Sequence, residues 1–144
     1  MRVVVDSNVW VSGLIRPDGP PGRILNAILE ERIEVVSSWE LVDEVSGVLS
    51  RPKLARYRLA AGDVRDLLRS LARTLPTVDV DVDIRDPDDA PVVAAAVAGK
   101  ADAIVTGDGD LLEDAELREW LIERGVAVLT PAELIARLGP GRRS

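Results

Sequence analysis

The chain contains no cysteine and no histidine. Disulfides, thiolate nucleophiles, Ser-His-Asp and Cys-His catalysis, and zinc sites built on Cys or His are excluded with them. Any chemistry must rest on carboxylates, hydroxyls, arginine, Lys53, Lys100 or a bound metal. Phenylalanine is also absent, and Trp10, Trp39, Tyr57 and Trp120 are the whole aromatic complement. Four aromatics do not make the stacking platform of a single-strand-binding protein. Long apolar runs are missing too. The longest without proline, Val92 to Ala98, is far short of the ~20 residues that span a bilayer. Asp6 interrupts the first residues before a signal-peptide core can form, so a cytoplasmic protein with no membrane partner is expected.

What is present fits one soluble domain. The 144 residues are 47% hydrophobic and 30% charged, ordinary values for a globular chain. Residues 1–138 read as a single domain and 139–144, rich in Gly and Arg, as a flexible tail. The net charge of −7 repels nucleic acid, so binding it requires a local basic patch. Only two of the 18 basic residues are lysines; the rest are arginine, the better bidentate phosphate partner.

The hydrophobic pattern predicts strands at Arg2–Val5, Ile33–Val36, Ala103–Val105 and Val126–Leu129. It predicts helices at Gly22–Glu31, from a Ser37 or Ser38 cap to about Ser50, at Asp63–Thr74, at Asp88–Ala98 and at Leu117–Arg124, the last closed by Gly125. Thr130 caps a final helix with Pro131 at its first position. Val78–Ile84 alternates Val and Ile with Asp79, Asp81 and Asp83, as an edge strand or an extended linker would. Strands alternating with helices predict an α/β fold, a three-layer α/β/α sandwich around a mostly parallel sheet. Ligands of such sheets bind beyond the carboxyl ends of the strands.

Carboxylates stand at those ends. Asp6 follows the first strand, and Asp108 and Asp110 follow Ala103–Val105. Asp88 or Asp89 opens the apolar helix before that strand, and Glu44 borders the apolar face of its own helix. Each has an ordinary reading: Asp6 and Asp89 as caps, Glu44 as a solvated flank, Asp108 and Asp110 as a turn between glycines. Asp79, Asp81 and Asp83 read as solvated. Convergence is what gives the first group weight. Two like charges ~4 Å apart repel by roughly 4 kcal/mol at an effective dielectric of 20, so several carboxylates in one cleft must take up protons or a cation. An all-oxygen donor set suits Mg²⁺ or Mn²⁺, and a metal so held activates water and stabilises displacement at phosphorus.

Four segments carry a resemblance. They are Val3-Val4-Val5-Asp6-Ser7-Asn8-Val9, Leu41-Val42-Asp43-Glu44-Val45, Asp86-Pro87-Asp88-Asp89 with the alanine-rich helix behind it, and Ala101 to Leu112 around Thr106-Gly107-Asp108-Gly109-Asp110. In this order and spacing the chain resembles the PIN-domain proteins over about residues 1–135, of the kind that form the toxin of a toxin–antitoxin pair (VapC-like). The resemblance implies a metal-dependent ribonuclease with Asp6, Glu44, Asp89 and Asp108 in the acidic site. Asp6, Asp89 and Asp108 would hold the metal, with Asn8, Thr106 and Asp110 supporting them. Asp88 is an alternative to Asp89, and Asp110 a partner in the role of Asp108. The resemblance further implies a homodimer and a protein antitoxin. The run Arg51-Pro52-Lys53-Leu54-Ala55-Arg56-Tyr57-Arg58 has four basic residues and no acid. It reads as an RNA-binding flank through Arg51, Lys53, Arg56 and Arg58, or as a connector whose arginines pair with Asp63 and Asp66.

Other readings fit less well. A haloacid-dehalogenase-like phosphatase needs acids at positions 8 and 112, where this chain has Asn8 and Leu112. A phosphoacceptor receiver needs paired acids after the first strand and a late lysine. A calcium loop from Asp108 lacks its oxygen ligand at Leu112. A catalytically silent PIN-fold binding module has no reason to keep all four acids.

Overall fold

The computed structural model describes residues 1–52, 61–76 and 79–139. Lys53, Arg56, Tyr57 and Arg58 of the basic run, Val78, and the tail from Pro140 lie outside the described residues. The elements are β1 (Arg2–Val5), α1 (Ser7–Ile15), α2 (Pro20–Leu29), β2 (Glu34–Ser38), α3 (Trp39–Leu49), α4 (Ala61–Leu71) and β3 (Ala72–Leu75). There follow a 3₁₀ turn (Pro87–Asp89), α5 (Ala90–Ala98), β4 (Ala103–Val105), α6 (Gly109–Glu113), α7 (Ala115–Glu123), β5 (Ala127–Leu129) and α8 (Pro131–Leu138). Among the described residues no helix is long and apolar enough to cross a membrane.

All five strands are parallel, in the order β3-β2-β1-β4-β5. Parallel strands are buried on both faces, and the run Val3-Val4-Val5 shows why. Successive side chains point to opposite faces. Val3, Val5, Val35, Ala103, Val105 and Leu129 therefore pack with α1, α2, α4, α8 and most of α3. Val4, Val36, Ile104 and Val128 pack with α5, α6 and α7. The result is the expected three-layer α/β/α arrangement. A fully buried leucine such as Leu121 stabilises it by about 2–5 kcal/mol against truncation to alanine. Gly22 lets α2 start against the preceding loop, because a Cβ there would stand 2.1 Å from the Pro17 carbonyl oxygen.

One expectation is corrected, and one open alternative is decided. The helix expected over Asp63–Thr74 ends at Leu71, and Ala72–Leu75 is strand β3, paired from Val35↔Ala72 to Ser38↔Leu75. Leu68, Leu71 and Leu75 continue a helical spacing, but β2 has an open edge, and the ladder bonds it offers decide the backbone there. The alternating run is the linker and not a strand: over 79–84 no strand forms, and Val80, Val82 and Ile84 rest on the second core cluster with the aspartates exposed. Helices α1 and α6 lie where no element was expected.

Candidate active site

The site forms where β1 and β4 run side by side. Outward from that pair the sheet continues to β2 on one flank and to β5 on the other, the switch point at which open parallel sheets bind ligands. The β1–β4 register pairs Val5 with Val105, and the Asp6 N–H continues the ladder to the Val105 carbonyl at 2.9 Å. One step beyond the strands, Asp6 therefore faces Thr106. The chain turns at once into α1 and α6, with Asp6 and Asp108 as their N-caps. Asp89 precedes α5 in the same way but makes no side-chain cap bond, so its carboxyl group is left to the cleft.

The carboxylates of Asp6, Asp89 and Asp108 have oxygens all within 4.8 Å of one another. Asp6 and Asp89 are only 5% and 4% exposed. Asp6 is held from several sides. Its Oδ1 accepts the Ser7 N–H at 2.8 Å, and its Oδ2 accepts from Thr106 Oγ1 at 2.7 Å and from Asn8 Nδ2 at 3.2 Å. Thr106 Oγ1 in turn accepts the Asp108 N–H at 2.9 Å, so one buried hydroxyl ties two of the acids together. Asn8 works from both ends, since its Oδ1 accepts the Gly107 N–H at 3.1 Å. A carboxylate at position 8, as the phosphatase reading requires, has no donor for Asp6.

Glu44 lies beside this trio. It accepts a hydrogen bond from Ser7 Oγ at 3.1 Å, and Ser7 thus holds Asp6 by its N–H and Glu44 by its hydroxyl. Asp88 is exposed and is not brought into the cluster; the 3₁₀ turn buries Asp89 instead. Asp110 is exposed, donates its N–H to Asp108 Oδ1 at 2.9 Å, and has its carboxylate with those of Asp86 and Asp108 in an adjoining group. Arg51 is exposed at the end of α3, and its charge is felt at Glu44. The sequence reading did not single out Asp86 or Ser7 as site residues. Both stand in the segments that carry the resemblance, Asp86 ahead of Asp88-Asp89 and Ser7 as the hydroxyl residue directly after Asp6, and that is the signal that could have found them.

Crowding shows in the acidities. Burial raises the pKa of Asp6, and the charge of Asp108 adds to this, against the hydrogen bonds from Thr106 and Ser7. Glu44 is raised by burial and by the charges of Asp6 and Asp88, against Ser7 and Arg51. Asp89 is pushed up to about 7, first by burial, then by a carboxyl–carboxyl hydrogen bond with Asp108 and by the charges of Asp108, Asp6 and Asp86. Three acids that resist simultaneous ionisation form a site that gains from a cation.

Known proteins resemble the chain in sequence and in fold. An uncharacterized protein of Methanocaldococcus jannaschii is 31% identical over 140 residues, 94% of this chain and 90% of that protein. The fold is similar to a chain in the crystal structure of VapBC2 from Rickettsia felis bound to a DNA fragment from their promoter. The TM-score is 0.58 at 12% identity, over 90% of this chain and 98% of the other. The profile of the PIN domain matches residues 2–110, a span that takes in Asp6, Glu44, Asp89 and Asp108, and the chain belongs to the PIN domain family.

Proposed function

We propose that residues 1–138 are a single nuclease domain that hydrolyses RNA phosphodiester bonds with Mg²⁺ or Mn²⁺. We further propose that it acts in the cytoplasm as a homodimer and is the toxin of a toxin–antitoxin pair. The observation that carries the nuclease reading is the trio Asp6, Asp89 and Asp108, with carboxylate oxygens within 4.8 Å of one another in a chain without histidine or cysteine. PIN domains are generally nucleases, which supports it. The likeness to VapBC2 supports a protein antitoxin as partner.

The residues fit a hard divalent ion: all donors are oxygens, two of the three acids are buried, and Asp89 keeps a proton until near neutral pH. Asp6, Asp89 and Asp108 are the ligands. When bound, the ion supplies positive charge that activates water and offsets the charge growing on the phosphate. Thr106, Asn8 and the Ser7 N–H fix the orientation of Asp6. Glu44, held by Ser7 Oγ, stands ready to take the proton of the attacking water. Asp86 and Asp110 extend the acidic rim.

Purified chain incubated with labelled single-stranded RNA should cleave it with Mg²⁺ or Mn²⁺ and stop with EDTA. Asp6→Asn keeps the shape and removes a ligand charge, and should reduce the rate by on the order of 100-fold or more while the protein stays folded. Wild-type rates in the purified Asp6→Asn protein refute the role of Asp6. A chain inert toward RNA with both metals refutes the activity.

A further inference from the structure

We propose that Trp39 stacks on a nucleobase of the bound RNA at the rim of the acidic cleft, an assignment that rests on the ribonuclease reading above. Trp39 is the first residue of α3, directly after β2, and β2 neighbours β1 in the sheet. It therefore stands at the carboxyl edge, where Asp6 also stands. Its neighbour Glu40 lines a groove together with Pro87 and Ala90, the residues on either side of Asp88 and Asp89. The start of α3 thus borders the turn that carries Asp89.

Trp10 is 2% exposed and belongs to the core, whereas Trp39 is 45% exposed. The guanidinium of Arg69 lies 5.0 Å from its ring centroid. Trp120 in α7 also has an arginine over its ring, Arg124 at 3.6 Å, but among the described tryptophans it is Trp39 that directly follows a strand at the carboxyl edge. An aromatic face with an arginine beside it offers a nucleotide both of the things it binds: a surface for the base and a cation for its phosphate. Charge disfavours the opposite flank. From Asp79 to Asp89 the chain carries six acids and one base, and that base, Arg85, faces Asp114 at 3.9 Å. A phosphate backbone is repelled from that side of the cleft. The α3–α4 side is mixed: Arg51, Arg65 and Arg69 stand among Glu40, Asp43, Glu44, Asp63 and Asp66, and among the described residues Arg65 is the one of the three arginines paired with an acid at close range, Asp43 at 3.0 Å. The Trp39–Arg69 and Asp43–Arg65 contacts also clasp α4 to α3 one helical turn apart, so the test must separate stacking from clasping.

Affinity for a labelled single-stranded RNA of about twelve nucleotides is measured on the full chain in an Asp6→Asn background, which keeps the strand intact. Trp39→Leu retains apolar bulk without a π-face and should weaken binding roughly 10-fold, within the ~5- to 150-fold that one stacked base is worth. Trp39→Tyr should stay within about threefold of the parent. Mn²⁺ affinity should be unchanged in both, and the melting temperature should fall by no more than about 3 °C in Trp39→Leu, which loses the ring contact with Arg69, and not at all in Trp39→Tyr. With the catalytic Asp6 in place, Trp39→Leu should raise KM by the same factor and leave kcat alone. Unchanged RNA affinity in Trp39→Leu overturns the assignment while metal-dependent cleavage by the wild type still stands. Equal losses in the Leu and Tyr variants, accompanied by a lower melting temperature in both, assign Trp39 to the clasp and overturn it as well. A wild-type chain that binds the strand through Trp39 but does not cleave it keeps the stacking site and removes the nuclease reading; a chain that does neither removes both.

Discussion

Asp89 holds its carboxyl group, buried, within 4.8 Å of those of Asp6 and Asp108, and this gives the metal-free protein a definite pH response. Its folded pKa, about 7, lies above the ordinary 3.8, so the native state binds the proton more tightly than the unfolded chain. The stability this contributes is complete below pH 3.8 and is lost as pH rises toward 7. Asp6 and Glu44 are raised as well and act in the same direction. In EDTA the melting temperature should therefore fall between pH 5 and pH 8. Asp89→Asn should flatten that slope, and Mn²⁺ should restore stability at the alkaline end. A metal-free protein that grows more stable over this range contradicts the crowding of the three acids. Thr106 permits a second test. It is fully buried, donates to Asp6 and accepts from Asp108. Thr106→Val keeps the volume, loses both bonds, and should lower Mn²⁺ affinity by about 10- to 100-fold with a stability loss of roughly 1–3 kcal/mol. Thr106→Ser should recover most of the affinity. A binding isotherm unchanged in the valine variant removes Thr106 from the site.

Three helices that lead back toward the sheet end in the same way. After α2, α5 and α7 a residue with positive φ reverses the chain: Glu31 at 58°, Lys100 at 51° and Gly125 at 77°. Each is followed by a 6→1 bond, Arg32 N–H to Ala27, Ala101 N–H to Ala96 and Val126 N–H to Leu121, all at 2.9 Å, the Schellman closure. Only Gly125 suits the left-handed region; a side chain there costs roughly 1–2 kcal/mol. Glu31→Gly and Lys100→Gly should each stabilise the protein by about 1 kcal/mol, roughly 3 °C in melting temperature; Gly125→Ala should do the reverse. Unchanged melting temperatures in both glycine variants would mean these turns carry no strain. Gly125 was legible as a helix stop because glycine is the usual residue there, whereas Glu31 and Lys100 carry no such mark. The same contrast runs through the fold. Asp6 and Asp108 could be placed in advance because each directly follows a β-branched run, and parallel strands put both ends at one edge. Strand β3 could not, because Ala72–Leu75 continues the leucine spacing of α4 and becomes a strand only through the open edge of β2. Asp89 was named through the resemblance with Asp88 left as its alternative, because adjacent acids look alike in sequence until a 3₁₀ turn buries one and exposes the other.

Over the whole molecule the charge is divided, and the division governs how an acidic protein of net charge −7 would hold the RNA that the proposed function requires. The cleft and the 79–89 flank are negative, so attraction must come from arginine-rich stretches elsewhere. Arg51 is exposed where α3 ends and near enough to Glu44 to lower its pKa, so the basic run that starts there begins beside the site. If the run grips phosphate, its residues release counterions on binding, and each contact on a single strand adds ~0.7 to the slope of log K against log[salt]. Changing Arg51, Lys53, Arg56 and Arg58 together to Gln removes up to four such contacts. The slope should flatten by as much as ~2.8, RNA affinity should fall most at low salt, and Mn²⁺ affinity should be unchanged, since none of the four is a carboxylate ligand. The alternative, a connector whose arginines pair with Asp63 and Asp66, makes the opposite forecast: a lower melting temperature with RNA affinity and salt slope intact. Anisotropy titrations of the quadruple variant against the parent from low to high salt decide between the two, and an unchanged slope would assign the run to structure rather than substrate.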